Sequence, residues 1–587
     1  MDLGALAGRA RRIHTRCRHR RLGAGERVSA RARSALRRRH IPGHAGHVHD
    51  HPPRARCLGE LARHLLHVHH RHLRRLGRRR FGQRAPQARP CARDARRGTE
   101  VRARPVMSVL VVDVGTSGLR AAIVTPDGEV AALHYRAFPP SSPFPGMVEF
   151  DAPGMAAAVL EVAHAALAQS GPVVAVGITA QRASAIVWDR ATGEPVGPGI
   201  GWQDLRTVFD CITLKAEHGL HLAPNQSATK VAWLLNTFDP GRERDLCFGT
   251  VDSWVAWVLS RGEVHVTDHS NAAVTGLLKP DASGWSSSAC AALNIPERML
   301  PRLVDTSGVF GTAHALPGAP PLASLVGDQQ GSLIGQSCVH PGMAKITFGT
   351  GGMLDMCTDA AAPTTGNRTP EGIFPIVAWS RDGRCTWGVE AIMLSAGTNV
   401  EWLVQDLGIL ASPAESHDVA AQCTSTDGVM YVPALMGLGT PHWDYGARGT
   451  LLGLTRGSGR AQITRAVLEG VAHRGADLVD AAEAGSGRSV PLLRVDGGMS
   501  VNPTFVQALA DASGKPVEVS RHTEATTIGA AYLAGLAVGV WGSLDDIALA
   551  WKPSHVVTPG ARLDRDRWAE AVERSRRWIP DLSALDF

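Results

Sequence analysis

The chain has 587 residues, of which 44% are hydrophobic and 20% are charged, the proportions of a globular protein with two or three domains. No uninterrupted apolar run approaches the roughly 18 residues that a membrane-spanning helix needs, and the ten cysteines show neither CxxC pairs nor zinc-ligand spacing. The composition therefore predicts a cytoplasmic protein with reduced thiols, no membrane partner and no structural metal.

The net charge of +8 hides a division of the chain, because residues 1–106 hold 29 Arg, no Lys and six acidic residues. This segment alternates Arg, His, Ala and Gly without a helical or strand period, so it cannot bury enough apolar surface to fold. We expect residues 1–106 to be a disordered extension outside the native protein, which would begin at Met107. A nucleic-acid-binding arm and a long transit peptide are the alternatives; no nucleic-acid partner is expected for the folded body.

From Met107 onward, strands and helices alternate, which predicts an α/β fold. The predicted elements, in chain order, are strands at Val109–Asp113, Leu119–Val124, about Val130–Phe138 and Val173–Ile178, with a helix at about Gly154–Gln169 before the last of them. A tight turn at Gly115–Gly118 joins the first two strands.

The same device occurs later in the chain, where strands at Ala344–Phe348 and Met353–Cys357 flank the turn Gly349–Gly352. Long helices are then expected at about Glu390–Leu407, Arg460–Glu483 and Glu524–Val538. Two strand–turn–strand hairpins of one type indicate two related halves. We place their boundary near residue 340, which defines domains 107–340 and 341–587.

The two Gly-Thr hairpins suit phosphate binding. Glycine lets backbone N–H groups approach a phosphate, and the Thr or Ser beside it adds a hydroxyl donor. The chain has no GxxxxGK[ST] loop, so these hairpins would replace it. Asp113, at the end of the first strand, could hold Mg²⁺ through water molecules. Each hairpin alone is also compatible with an ordinary turn.

Three further residues could act on a substrate hydroxyl. Asp328 follows the apolar run Leu322–Val326 and could accept a proton, or it could cap a helix. Arg182 could hold a substrate oxygen or lie on a surface loop, and Trp202 could line a polyol site or belong to the core.

These residues stand within a series of motifs that resembles the FGGY carbohydrate kinases, above all their glycerol kinase branch, from about Met107 to Trp541. The motifs are Asp113–Ser117, Gly177–Arg182, Trp202–Arg206, Ala228–Leu234, Gly249–Trp254, Val264–Asp268, Gly327–Gln330, Phe348–Gly351, Gly439–Asp444, Gly446–Arg456, Arg494–Gly498 and Gly529–Ala537.

The resemblance implies two RNase-H-like domains of the actin/hexokinase-like ATPase type around a cleft, and ATP-dependent phosphorylation of a small polyol or sugar, foremost glycerol to glycerol 3-phosphate. It implies that Asp328 is the general base and that Asp113 helps to place Mg²⁺. The implied polyol-lining residues, from domain 107–340, are Arg182, Trp202, Asp328 and Gln329. The implied nucleotide contacts, for which domain 341–587 is the main site, are Thr116, Ser117, Arg120, Thr350, Gly397, Gly498 and Asn502. A homodimer or homotetramer is expected.

Three positions depart from the glycerol kinase pattern: Ala183 replaces Glu, Asn225 replaces Tyr, and Met353 replaces an aromatic residue. The first two normally bond substrate hydroxyls, and a site that loses such contacts changes its preferred ligand. A kinase for a tetritol, pentitol or pentulose is therefore one alternative. An actin-like ATPase without a sugar substrate is another.

Overall fold

The structure of the protein, a computed structural model, describes residues 107–586. The predicted extension, residues 1–106, lies outside the described residues. Among residues 107–586, no helix combines the length and the apolar character needed to cross a bilayer.

The first half is organised around one six-stranded sheet with the strand order β11-β12-β5-β1-β2-β3. The strands of this half are β1 (Val109–Val114), β2 (Gly118–Val124), β3 (Val130–Ala137), β4 (Glu149–Phe150), β5 (Ala175–Ala180), β6 (Ile186–Asp189), β7 (Gly199–Ile200), β8 (Leu246–Gly249), β9 (Val266–Asp268), β10 (Arg302–Val304), β11 (Ser307–Thr312) and β12 (Pro321–Gly327). Its helices are α1 (Ala152–Ser170), α2 (Val208–His218), α3 (Ala228–Phe238), α4 (Val251–Leu259), α5 (His269–Ala272), α6 (Ser287–Ala292) and α7 (Asp328–Gly335).

The second half is organised around a seven-stranded sheet with the order β15-β16-β14-β13-β19-β20-β21. Its strands are β13 (Ala344–Phe348), β14 (Gly352–Cys357), β15 (Phe374–Arg381), β16 (Arg384–Met393), β17 (Met430–Val432), β18 (Thr450–Leu452), β19 (Leu493–Asp496), β20 (Val517–Val519) and β21 (His555–Val557). Its helices are α8 (Gly397–Gln405), α9 (Glu415–Ala420), α10 (Arg460–Ser486), α11 (Pro503–Ser513), α12 (Ala525–Val538), α13 (Leu544–Ala550), α14 (Arg565–Ser575) and α15 (Pro580–Ser583).

The two sheets repeat one pattern of pairing. In the first, β1 pairs antiparallel with β2 and parallel with β5, and β5 pairs parallel with β12. In the second, β13 pairs antiparallel with β14 and parallel with β19, and β19 pairs parallel with β20. This duplicated α/β arrangement agrees with the predicted fold class. Both Gly-Thr hairpins occupy the same place in their sheets, at the carboxyl end of a central strand.

Strand β1 is buried throughout because the sheet is covered on both faces. Leu110 and Val112 belong to the core that contains α1, whereas Val109 and Val111 belong to the core that contains α12. In the second sheet, Ile346 and its neighbours pack on α10 and α11. One face of each sheet therefore forms a core within its half, and α12 covers the other face of the first sheet.

Two element predictions need correction. The helix expected at Glu390–Leu407 begins only at Gly397, and residues 390–393 instead end strand β16. Pairing of β16 with both β14 and β15 outweighs the local helical preference of this stretch. The strand expected at Val173–Ile178 is displaced by two residues to Ala175–Ala180.

Helices α7 and α12 pack against each other with almost no side chain between them. A Cβ atom added at Gly335 would overlap the carbonyl group of Ala525, and one added at Gly529 would overlap the carbonyl oxygen of Gly331. The two helices thus meet backbone to backbone, as glycine alone permits.

We predict that Gly529→Ala separates these helices and lowers the free energy of unfolding by about 1–3 kcal/mol or more, as overpacking does in a filled core. Urea denaturation measures this change. Gly366→Ala is the matched control, because no atom of residues 107–586 lies within 4 Å of a Cβ atom added there. Equal stability of the two variants would contradict the close packing.

Candidate active site

The first hairpin presents a buried carboxylate beside an arginine. Asp113 lies opposite Arg120 in the β1–β2 register, and the Arg120 Nε atom is 3.6 Å from Asp113 Oδ2. The Thr527 hydroxyl of α12 donates to the same oxygen at 3.1 Å, and Arg120 also pairs with Glu524. Burial raises the pKa of Asp113, while Arg120 and Thr527 oppose that shift. Contacts from the beginning of α12 therefore define the surroundings of Asp113.

The turn of this hairpin touches a residue predicted to line the polyol site. Thr116 is partly buried and Ser117 is exposed. The Trp202 indole N–H donates to the Thr116 hydroxyl at 3.1 Å, and Trp202 itself remains partly exposed. Trp202 thus lies against the hairpin rather than within the core.

The second hairpin packs on the beginning of α8. The Gly397 N–H donates to the Gly349 carbonyl at 2.9 Å, and the Ala396 N–H donates to the Thr350 carbonyl at 2.8 Å. A Cβ atom at Gly397 would lie against the Gly349 carbonyl oxygen, so this approach requires glycine. Thr350 remains exposed, which leaves its hydroxyl open to a ligand.

The segment that carries Gly498 and Asn502 contacts the second hairpin. The N–H of Met499, in this segment, donates to the Phe348 carbonyl at 3.3 Å. Gly498 is exposed. The Asn502 side chain accepts a hydrogen bond from the Phe505 N–H and thereby caps α11. Asn502 therefore has a structural role of its own, and its contact with a nucleotide stays a prediction.

Asp328 is the first residue of α7, and the N-cap position belongs to Gly327. The Asp328 Oδ1 atom accepts the N–H of Gln329 at 2.9 Å and lies 3.4 Å from the Arg182 Nε atom. The side chain is 31% exposed. Burial raises the pKa of Asp328, while Arg182 acts in the opposite direction. The carboxylate is thus fixed, partly accessible and not used as a helix cap.

Arg182, in the loop after β5, is not a surface residue: only 11% of its side chain is exposed. Its Nη2 atom donates to Glu390 Oε2 at 2.6 Å, and its Nη1 atom is 3.4 Å from Gln330 Oε1. Burial raises the pKa of Glu390, and the Arg182 charge opposes this. Arg182 therefore lies between Asp328 of its own half and Glu390 of the other half.

Glu390 belongs to a charged row that crosses three strands of the second sheet. The charged row consists of Lys345, Asp355 and Glu390, which are register neighbours on β13, β14 and β16. Lys345 and Asp355 have fully buried side chains, and Lys345 Nζ is 2.7 Å from Asp355 Oδ2. Lys345 Nζ also donates to Gln329 Oε1 at 2.8 Å. Both ends of the charged row thus contact the first half.

The three departing positions differ in their surroundings. Ala183 is buried, and its backbone lies in the left-handed region with φ 58°. Met353 is partly buried, and Asn225 is exposed. The loop that carries Asn225 is held by Lys230, whose Nζ atom donates to the carbonyls of Pro224 and Gln226 at 2.7 and 2.8 Å. Burial lowers the pKa of Lys230 to about 7.

Sequence reasoning missed the charged row, although a signal was present. Lys345 and Asp355 each stand alone as charged residues within short, otherwise buried and mostly apolar strands. A charge in such a strand is rarely left without a partner, so it indicates a buried ion pair or a site. The complete set of partners could not be assigned, since Glu390 joins the β13–β14 hairpin only through the pairing of β16 with β14.

Comparison with known proteins identifies the two halves. Residues 108–335 match the N-terminal domain of the FGGY family of carbohydrate kinases, and residues 344–538 match its C-terminal domain. The chain is 41% identical to the glycerol kinase of Aromatoleum aromaticum over 495 residues, which are 80% of this chain and 99% of that protein. It is also 41% identical to the glycerol kinase of Deinococcus radiodurans, over 81% of this chain and 99% of that protein.

Solved structures have the same fold. The structure of Plasmodium falciparum glycerol kinase with ADP has a TM-score of 0.74 and 27% identity, and the alignment covers 80% of this chain and 98% of that one. A xylulose kinase from Rhodospirillum rubrum has a TM-score of 0.70 at 20% identity, with 80% and 98% of the two chains covered. The second similarity concerns the fold alone.

The Lys345–Asp355 pair generates a stability prediction. Lys345→Met leaves the Asp355 carboxylate buried without a cation, which costs about 3–5 kcal/mol of unfolding free energy. The double variant Lys345→Met/Asp355→Val removes both charges and should recover most of that loss, because apolar residues replace buried ion pairs well. Urea denaturation of Lys345→Met, Asp355→Val and the double variant gives the coupling. Strictly additive losses would contradict the pairing.

Proposed function

The chain belongs to the FGGY family of carbohydrate kinases, and we propose that it transfers the γ-phosphoryl group of ATP to a hydroxyl of glycerol, forming glycerol 3-phosphate. The observation that carries this proposal is the placement of Asp328, a fixed and partly exposed carboxylate between Arg182 and Gln329. The glycerol kinases at 41% identity support glycerol as the acceptor.

In this proposal the two halves bind different substrates. Domain 107–340 binds the acceptor through Arg182, Trp202 and Gln329, and domain 341–587 provides most of the nucleotide site. The nucleotide contacts are assigned to Thr116, Ser117, Arg120, Thr350, Gly397, Gly498 and Asn502. The exposed hydroxyls of Ser117 and Thr350 and the open surface at Gly498 support this assignment.

The chemical step follows from the position of Asp328. Its carboxylate accepts the proton of the acceptor hydroxyl as the hydroxyl oxygen forms a bond to the γ-phosphorus. The bond from the γ-phosphorus to the oxygen that bridges it to the β-phosphate breaks, and ADP leaves. Arg182 orients the acceptor with its guanidinium N–H groups, and its charge also opposes the rise that burial causes in the pKa of Asp328.

Mg²⁺ would neutralise phosphate charge in this reaction. Asp113 is the residue assigned to it, since a carboxylate with a neighbouring hydroxyl, Thr527, offers the hard oxygen donors that Mg²⁺ prefers. Arg120 adds a positive charge beside that of the Mg²⁺ ion at the same hairpin. We also assign the activity to the cytoplasm, where ATP is available. We propose that the protein acts as an assembly of two or four copies.

One set of observations favours a second candidate function, phosphorylation of a larger polyol or a ketose. Ala183 and Asn225 replace residues that bond substrate hydroxyls in the glycerol kinase pattern. Ala183 has no polar side-chain atom, so it cannot make the hydrogen bond that Glu makes to a substrate hydroxyl in that pattern. The close similarity to glycerol kinases over four-fifths of the chain opposes this candidate.

A coupled ADP-release assay over glycerol, tetritols, pentitols and ketoses tests the acceptor. We expect glycerol to give the highest kcat/KM and to stimulate ADP release far above basal hydrolysis. A ketose or longer polyol with a higher kcat/KM would establish the second candidate. ADP release that no acceptor stimulates would favour the ATPase alternative.

Ala183→Glu sharpens this assay. A carboxylate at position 183 restores an acceptor for a substrate hydroxyl, and hydrogen bonds to charged groups contribute about 1.5–3 kcal/mol. The variant should therefore raise kcat/KM for glycerol and lower it for the longer acceptors. Ala183→Leu controls for volume, because it fills the same space without the carboxylate.

Asp328→Asn should abolish most turnover while nucleotide affinity remains. The amide keeps the size of the side chain but cannot accept the proton, and general-base catalysis contributes about 10²–10⁴-fold to rate. Steady-state kcat and calorimetric ADP binding are the two measurements. The exposed Asp382 provides the matched control Asp382→Asn, which should leave kcat unchanged. An Asp328→Asn enzyme with normal kcat would refute the base assignment.

A further inference from the structure

Two of the four residues proposed to line the polyol site are held from the opposite half of the molecule. Arg182 and Gln329 both belong to the first half, on either side of Asp328. Each forms its shortest side-chain contact with a residue of the charged row in the second sheet. These contacts are the Arg182–Glu390 bond at 2.6 Å and the Lys345–Gln329 bond at 2.8 Å.

The Glu390 contact decides where the Arg182 guanidinium lies. Arg182 is 3.4 Å from both Asp328 and Gln330, the distance of a weak contact, but only 2.6 Å from Glu390. Both partners of this short pair are nearly buried, with 11% and 7% of their side chains exposed. A charge-assisted bond in such surroundings outweighs the longer contacts and sets the orientation of the guanidinium.

The other end of the charged row acts on Gln329 in the same way. Lys345 Nζ donates to Oε1, the side-chain amide oxygen of Gln329, and to the Thr347 hydroxyl at 3.0 Å. It also forms an ion pair with Asp355. Because an amide donates only through its nitrogen, binding of its oxygen by Lys345 directs the Gln329 NH₂ group away from the charged row.

Stability alone does not account for this cluster. Arg182 and Lys345 are two cations among three carboxylates, those of Asp328, Asp355 and Glu390, in a largely buried region. Apolar residues in such places stabilise a fold as well as or better than buried ion pairs. The charges of the second sheet also contact two of the proposed acceptor-lining residues, Arg182 and Gln329.

We propose that Glu390 and Lys345 are positioning residues: they orient Arg182 and Gln329 for the acceptor, so that the polyol site is complete only when the second sheet is seated against the first half. The inference rests on the proposed acceptor role of Arg182 and Gln329. Binding of the acceptor is thereby coupled to the approach of the two halves through specific side-chain contacts.

Steady-state kinetics of three variants test the proposal, with both KM values determined for each enzyme. Glu390→Gln keeps a hydrogen-bond acceptor but removes the charge that holds Arg182. Lys345→Met/Asp355→Val releases Gln329 and removes both charges of the Lys345–Asp355 pair. Glu518→Gln is the matched control, since Glu518 also forms a largely buried pair, with Arg494 at 3.0 Å, on strand β20.

We expect Glu390→Gln and the double variant to lower kcat/KM for glycerol by roughly 10- to 100-fold, the effect of a small misplacement of binding groups, mainly through KM. The KM for ATP should stay unchanged, and glycerol should raise the melting temperature of these variants less than that of the wild type. Glu518→Gln should change stability alone. A wild-type KM for glycerol in Glu390→Gln, or equal rises of both KM values, would overturn the positioning role.

Arg182→Ala separates this inference from the proposed function. If Arg182→Ala raises the KM for glycerol and Glu390→Gln does not, the acceptor site stands and the positioning role is wrong. If Arg182→Ala leaves the KM for glycerol unchanged, the assignment of Arg182 to the acceptor site falls, and the inference falls with it.

Discussion

The backbone contact between α7 and α12 is the constraint on which the site depends. Gly331, Gly335 and Gly529 bring the two helices together with almost no side chain between them. Asp328 begins α7, and Glu524 and Thr527, which bind Arg120 and Asp113, stand at the beginning of α12. The beginning of α12 also contacts Asp328 itself, because the Thr526 hydroxyl donates to the Asp328 carbonyl at 3.3 Å, so one helix contacts both the proposed base and the first hairpin.

Two carboxylates of the candidate site, Asp113 and Asp328, have similar charged surroundings. Asp113 and Asp328 are both buried enough for their pKa values to be raised, and each has an arginine that counteracts burial. The arginines are in turn fixed by carboxylates, Glu524 for Arg120 and Glu390 for Arg182. Each of these two carboxylates is thus supported by a cation whose own position is determined by a second anion. In the proposed function, such fixed charges would meet the nucleotide phosphates without a rearrangement of buried charge.

Much of the fold was predictable because its strongest signals are local. The Gly-Thr turns, the apolar strands before them and the long helices Arg460–Ser486 and Ala525–Val538 follow from short-range pattern, and the structure shows them close to the expected bounds. The stretch at Glu390–Met393 was misread because its strand character comes from pairing with β14 and β15 and not from a strand pattern in its own residues. The charged row was missed because Glu390 reaches the Lys345–Asp355 pair of the β13–β14 hairpin only through the pairing of β16 with β14. The family, in contrast, was recognisable from the order of the motifs.

The loop around Asn225 has a consequence for how acceptor preference can change. Lys230 binds the backbone carbonyls on both sides of Asn225, so the loop keeps its shape whatever side chain stands at its tip. Exposed Asn225 contributes little to the core, and mutations there carry little penalty for folding. If the acceptor is bound as proposed, position 225 is therefore an evolvable one, at which natural drift or a saturation library can sample new acceptor contacts while the surrounding scaffold stays constant.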